Sequence, residues 1–342
     1  MTCLFCILPA FANGIERSLL EFLAHYMSLI EKELQQLDLP DTPRSLYEPQ
    51  RYILSNGGKR IRPIFTLIGC GMCGGEYKEA LPAALAVELV HNFTLLHDDI
   101  MDQAESRRGK PSVHKKWNES TAILAGDAMF IQSLFQLQKL PDSADHKKIT
   151  RLFLEGVNTV CEGQALDMEF EQRFDVKTEE YLDMIAGKTG ALISTSLQMG
   201  GLVAGATSAQ IRLLDVIGRS AGLAFQVQDD WLDVVADPEK FGKEPAGDVR
   251  EGKKTFLMLK TLERCNEVEK DWLIHCLKDK PLNEENVAKV VELIKNYGVT
   301  NEARSLVGSY YKKARKALQK FDDSNYKRDL QQLLIYLENR EY

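Results

Sequence analysis

Apolar residues recur three and four positions apart through almost the whole chain, and strict apolar–polar alternation is nearly absent. That pattern predicts helices. "IERSLLEFLAHYMSLIEKELQQL" forms one, and Pro40 and Pro43 punctuate the chain just after it. "SLYEPQRYIL" forms a second, ended by Asn56-Gly57-Gly58, and a third starts near Pro63. Pro82 suits the first turn of a long helix that reaches about Asp102. "SADHKKITRLFLEGVNTVCEGQALDMEFE" comes next. It is followed by "TEEYLDMIAGKTGALISTSLQMGGLVAG", with Thr178 as the expected cap and Glu179 and Glu180 near its start. "SAQIRLLDVIGRSAGLAFQVQDDWLDVVAD" is another long helix, closed by Asp237-Pro238. A Gly-rich loop from Phe241 to Gly252 then leads to three or four amphipathic helices. No stretch reads as a linker. The pattern predicts a single all-α domain over residues 1–342, a bundle of ten or more helices.

Two of these helices end in like charges. "LLHDDIMD" carries Asp98, Asp99 and Asp102, and "QVQDDWLD" carries Asp229, Asp230 and Asp233. On a helix, positions i and i+4 share a face, so Asp98 stacks on Asp102 and Asp229 on Asp233. Each pair repels itself unless a cation neutralises it. A solvated helix end would explain one such cluster; two of the same spacing beside apolar helix point to Mg²⁺, a hard ion held by one or two carboxylates plus phosphate oxygens and water. A calcium loop would need glycine at its sixth position, where Gln103 and Val234 stand, so that reading fails.

The basic residues fall beside these clusters. "GGKRIRP" sets Lys59, Arg60 and Arg62 after a Gly-Gly turn whose backbone N–H groups suit an anion. Arg107 and Arg108 follow the first cluster, Lys188 lies in "AGKTGAL" within an apolar helix, and Lys243 and Lys253 flank the loop after the second cluster. A lone Lys188 would be read as a snorkelling side chain. Together with two carboxylate clusters, these cations suggest a diphosphate site with metal on one side of the phosphates and Arg and Lys on the other.

Composition narrows the class. Of 342 residues, 44% are hydrophobic and 27% charged, as in ordinary globular proteins, and a net charge of −7 does not favour nucleic acid. The seven cysteines are odd in number, which argues against a disulfide framework. Cys3/Cys6 and Cys70/Cys73 have CxxC spacing, but the second pair sits in the apolar run "IFTLIGCGMCGG", where buried thiols are the ordinary reading rather than zinc. Residues 1–13 are apolar without a basic n-region, so they read as an arm, or as a start set too early with Met27 as the alternative, rather than as a secretory signal. No later segment is expected to span a membrane, and the expected location is cytoplasmic.

On "GGKRIRP", "ELVHNFTLLHDDIMDQAESRRGKPSVH", "AGDAMF", "GKTGAL" and "FQVQDDWLDVVADPEKFGKEPAGDVREGKKT" the chain resembles a trans-isoprenyl diphosphate synthase. The matches run in order from about residue 45 to 260. The resemblance implies condensation of isopentenyl diphosphate with an allylic diphosphate through a carbocation, with three Mg²⁺ and a homodimer. Asp98 and Asp102 would bridge two ions and Asp229 hold the third, supported by Asp99, Asp230, Asp233 and Asp248. Arg107, Lys188, Lys243 and Lys253 would hold the allylic diphosphate; Lys59, Arg62, His91 and Arg108 would hold isopentenyl diphosphate. Gln226 and Thr189 would face the cation. Phe93, five residues before Asp98, with Thr94 beside it, resembles the floor of enzymes that stop near C20, geranylgeranyl diphosphate; farnesyl (C15) and longer products are the alternatives. A terpene cyclase would carry an Asn/Ser/Glu triad, where this chain has Asp233 and Asp237. A non-catalytic subunit of a heteromeric synthase would have lost motif residues, and every one is present.

Overall fold

A computed structural model describes residues 14–235 and 246–340. Helices α1 (Gly14–Gln35), α2 (Arg44–Leu54) and α3 (Ile61–Met72) respect the predicted breaks. A single 3₁₀ turn, Tyr77–Ala80, leads into α4 (Leu81–Met101), which has Pro82 in its first turn and Asp102 as its C-cap. This segment, Tyr77–Met101, is long and apolar enough to cross a membrane, contrary to the expectation that none would be, yet 61% of its apolar window is buried against other helices.

After α4 the chain turns back in a hairpin that period-3.6 reasoning did not anticipate. Ser106–Arg107 (β1) pairs antiparallel with Lys110–Pro111 (β2). Arg108 and Gly109 form its two-residue turn, both with positive φ (53° and 73°), as a turn matched to strand twist requires. Then come α5 (Val113–Lys116), α6 (Glu119–Leu137, capped by Asn118) and α7 (His146–Gln172, capped by Asp145).

The next predicted helix is interrupted. It runs as α8 (Thr178–Ile185), a π-helical segment Ala186–Gly190, and α9 (Ala191–Val203). Its cap is Lys177 rather than Thr178: the Lys177 N–H donates to Glu180 Oε2 at 2.9 Å, while the Thr178 hydroxyl donates to Glu263 on a later helix at 2.6 Å. Next is α10 (Ser208–Val235); its expected stop at Asp237-Pro238 lies outside the described residues. Part of the Gly-rich loop is a helical turn, α11 (Gly247–Arg250). Among the described residues the C-terminal region has five further helices rather than three or four: α12 (Phe256–Arg264), α13 (Glu267–Lys278), α14 (Glu284–Asn296), α15 (Val299–Leu318) and α16 (Asn325–Glu338).

α9 is buried along almost its whole length and packs on α3, α7 and α10; α4 packs on α6, and α10 on α15. Cys70, Cys265 and Cys276 are buried free thiols, and burial pushes Cys70 up to about 12 and Cys73 to about 11. Thiols buried in this way are unreactive packing residues; Cys3 and Cys6 lie outside the described residues.

Candidate active site

The first acidic cluster sits at the C-terminal end of α4. Asp99 is 1% exposed and turned inward, where its Oδ1 accepts from Arg107 Nε at 2.7 Å and Nη2 at 2.6 Å. The side chains of Asp98 and Asp102 have no hydrogen-bond or ion-pair partner among the described residues. Burial above all, with the charges of Asp102 and Asp167, raises Asp98; Lys188 opposes the rise. Asp102 is raised likewise by burial, with Lys188 and Lys253 opposing.

The second cluster ends α10. Asp229 pairs with Arg340, whose guanidinium also donates to Phe225 O at 2.8 Å and lies 3.8 Å from the Phe225 ring centre. Asp230 is buried: Oδ2 accepts from the Tyr181 hydroxyl at 2.5 Å and the Phe256 N–H at 3.3 Å, and Oδ1 accepts from Gln226 Nε2 at 3.4 Å. Burial and the nearby Asp248 push its carboxyl up to about 7 despite these bonds. Asp233 binds backbone instead, accepting from the N–H groups of Gly247 (3.0 Å) and Asp248 (3.1 Å) at the start of α11. Burial and Asp248 hold it at about 6.

Shared cations bring the two helix ends together. Lys253 Nζ contacts Asp248 at 3.2 Å and Glu251 at 2.8 Å, and its charge acts on Asp102 of the other cluster. Lys59 feels both Arg340 and Asp229; burial, then Arg340, lowers it. Close to Lys59, Arg62 Nη1 lies 3.2 Å from His91 Nε2. Burial, then the charges of Arg62 and Arg108, lowers His91 well below the ordinary imidazole range, so it is neutral. Arg108 donates to Gly57 O across the Gly-Gly turn. A Cβ at Gly58 would meet only the flexible end of Arg108, 2.7 Å from Nη1; the backbone φ of 140° is what favours glycine there. Arg60 departs from the expectation that all three cations of "GGKRIRP" face one anion: it is 3% exposed and points into the core.

The π-helical segment places Lys188 and Thr189. Its backbone lies against Gly163 of α7, where a Cβ would collide with the Lys188 N–H. Lys188 Nζ donates to Asp167 Oδ2 at 2.6 Å. Thr189 Oγ1 donates to Gln226 Oε1 at 3.1 Å, so Gln226 is fixed at both ends, by Thr189 and by Asp230. Wide turns of this kind recur at functional sites because they re-aim backbone and side chains.

Asp167, Tyr181 and Arg340 were not singled out from sequence. Asp167 had a signal: Gln164, Asp167 and Glu171 fall at helical spacing on one face of α7. Tyr181 and Arg340 had none, since their partners are 49 and more than 100 residues away. Lys243 lies outside the described residues. Phe93 meets His97 edge-on at 4.8 Å and Phe130 of α6 at 6.0 Å, and Thr94 turns its hydroxyl back to His91 O at 2.9 Å.

The donor set suits Mg²⁺. Five carboxyls are held above their ordinary range, chiefly by burial and secondarily by neighbouring carboxylates, and a bound cation would offset both. Among the described residues no three His, Cys, Asp or Glu side chains converge on one point, so a protein-only cage is not formed. An ion with one or two carboxylates and the rest of its shell from phosphate and water needs no such cage.

Comparison with known proteins agrees. Residues 43–294 match the polyprenyl synthetase family. The chain is 36% identical over 323 residues to a short chain isoprenyl diphosphate synthase of Methanothermobacter thermautotrophicus, covering 94% of this chain and 99% of that one. It is 44% identical over 278 residues to a geranylgeranyl diphosphate synthase of Sulfolobus acidocaldarius, covering 80% and 83%. The crystal structure of geranylgeranyl pyrophosphate synthetase from Pyrococcus horikoshii superposes with a TM-score of 0.88 at 37% identity, over 94% of this chain and 98% of that one. The all-α architecture, the two acidic helix ends and the cations around them are those of a prenyltransferase, and the chain belongs to the polyprenyl synthetase family.

Proposed function

We propose that this prenyltransferase makes geranylgeranyl diphosphate, joining isopentenyl diphosphate to an allylic diphosphate in a Mg²⁺-dependent reaction. The observation that carries the reading is the pair of acidic helix ends with cations shared between them. Asp98 and Asp102, free of protein partners among the described residues, would hold two Mg²⁺, and Asp229 a third. Mg²⁺ held by these residues would supply positive charge to the leaving diphosphate.

The chain's own residues do the rest. Lys188, Lys253 and Arg107, with Lys243, cradle the allylic diphosphate, and Asp167 and Asp99 hold Lys188 and Arg107 in place. Lys59, Arg62, Arg108 and neutral His91 bind isopentenyl diphosphate. Gln226 Oε1, which accepts the Thr189 hydroxyl proton, and Thr189 Oγ1, whose lone pairs this bond leaves free, would offer oxygen dipoles to the cation. The departing diphosphate accepts the proton, so no separate protein base is assigned.

Phe93, packed against Phe130 and His97, would close the far end of the prenyl channel. The relatives named as geranylgeranyl synthases support C20. Ile123, Leu124, Ile131 and Phe135 expose an apolar stripe on α6 (43–60% exposed), which supports a homodimer formed with a second copy; the mass in solution, two chains against one, tests it. A cytoplasmic location fits the buried setting of the one membrane-length helix among the described residues.

The test is incubation of the purified protein with isopentenyl diphosphate and C5, C10 or C15 primers, with Mg²⁺ and then EDTA, reading products by mass. A Mg²⁺-dependent C20 product is expected, lengthening to C25 in Phe93→Ala. C15 from the unaltered protein would overturn the product assignment, and no elongation would overturn the catalytic one.

A further inference from the structure

Arg60 is the middle cation of "GGKRIRP", yet it does not join its neighbours at the site. It is the N-cap of α3 with φ 48° and ψ 33°, a left-handed conformation that is uncommon for a residue with a Cβ and that glycine would adopt more readily. Its side chain overrules that preference. Nη1 donates to Glu88 Oε1 at 2.5 Å, Nε to Glu31 Oε1 at 2.7 Å, and Nη2 to Leu54 O at 2.7 Å. One guanidinium therefore joins α1, the end of α2, the start of α3 and the middle of α4. Glu88 is fixed in turn by Asn92 Nδ2, which donates to its Oε1 at 2.9 Å and its carbonyl at 2.8 Å.

The consequence lies on either side of Arg60. The left-handed turn sends Arg60 inward and leaves Lys59 facing Asp229 and Arg340. Two residues on, Arg62 meets His91, which lies three residues after Glu88 on the same face of α4. The first turn of α3 is thus tied to α4 at two points, one buried and charged, the other lining the site. A buried ion pair is a poor source of stability, because desolvation offsets most of its attraction; what it supplies well is a unique geometry.

We propose that Arg60 is a positioning residue for isopentenyl diphosphate: its buried contacts with Glu88 and Glu31 hold the turn that presents Lys59 and Arg62. This rests on the assignment of Lys59, Arg62 and His91 to that substrate. The test is steady-state kinetics on the full-length enzyme with each substrate varied in turn. Arg60→Lys keeps the charge but loses the fork. It raises KM for isopentenyl diphosphate about tenfold, as a displacement of well under an ångström at a binding group does, and leaves KM for the allylic substrate within about twofold. Equal rises in both, or no rise for isopentenyl diphosphate, overturn the proposal.

Should Arg60→Lys fail to fold, Glu31→Gln carries the test, since it weakens only the outermost contact. A rise of about threefold for isopentenyl diphosphate alone is expected, and no change overturns the proposal. Lys59→Ala separates the two ideas. If it leaves KM for isopentenyl diphosphate unmoved, the substrate assignment is wrong and the proposal falls with it. If it raises that KM while Arg60→Lys does not, the assignment stands and the proposal alone is overturned.

Discussion

The ends of α4 and α10 spell the same pattern, two aspartates, two apolar residues and a third aspartate, and the fold uses them differently. In both, the second aspartate is the buried anchor: Asp99 is 1% exposed and Asp230 is 2%. Asp99 is satisfied by a cation, Arg107, and Asp230 by neutral donors, the Tyr181 hydroxyl and the Phe256 N–H. The outer pair differs more. Asp98 and Asp102 are both unengaged among the described residues, while Asp233 is taken up by the backbone of α11 and Asp229 by Arg340. Identical spacing therefore gives two open ligands on one wall and one guarded ligand on the other.

Substitutions can break that contrast. Asp98→Asn or Asp102→Asn should lower kcat by about 10³-fold, roughly 4 kcal/mol of lost charge stabilisation, with little change in thermal unfolding. Asp233→Asn should cost about tenfold in kcat and act through the placement of α11 and Lys253. Equal losses at Asp102 and Asp233 would show the walls to be equivalent.

Tyr181→Phe removes a hydrogen bond to a charge-bearing group and should cost about 2 kcal/mol of stability. It also loosens Asp230, one of the two groups that fix Gln226, so kcat should fall while KM for isopentenyl diphosphate stays put. A smaller effect is expected from Arg340→Gln. Without the competing cation, the Mg²⁺ concentration for half-maximal activity should fall about threefold, in keeping with a modest, partly exposed ion pair.

pH sharpens the comparison. Asp230 and Asp233 are held at about 7 and about 6, above the unfolded value of 3.8. Folded protein keeps protons there that the unfolded chain has released. Stability of the metal-free protein should therefore fall as pH rises from about 4 to 7. Mg²⁺ with diphosphate requires ionised carboxylates at Asp98, Asp102 and Asp229, which burial also raises, so its stabilisation should grow as pH rises. Thermal unfolding at several pH values, with EDTA or with Mg²⁺ and substrate analogue, reads both slopes; parallel slopes would contradict the role of these aspartates.

Much of this was legible in the sequence. The helices leading into the clusters have unbroken periodicity, and aspartates at i and i+4 announce themselves against apolar neighbours. The features that were not legible depend on backbone dihedrals or on distance along the chain. The inward turn of Arg60 follows from a positive φ that no composition signals. Lys177 displaced Thr178 as cap because a tertiary partner, Glu263, claimed the threonine hydroxyl. Arg340 is a lone charge near the end of the chain, and only folding brings it to Asp229.

The π-helical segment has a consequence for chain length itself. A π turn holds about one residue more than an α turn, so removing one residue between Ala186 and Gly190 would let the turn close as ordinary helix with α8 and α9 still near their places. Tyr181 would keep Asp230. What would be lost is the bulge itself, and with it the placement of Lys188 beside Asp167 and of Thr189 beside Gln226. The helix would become more regular, and as a helix more stable, while the site gave up two of its contacts: a deletion here should cost activity before it costs folding.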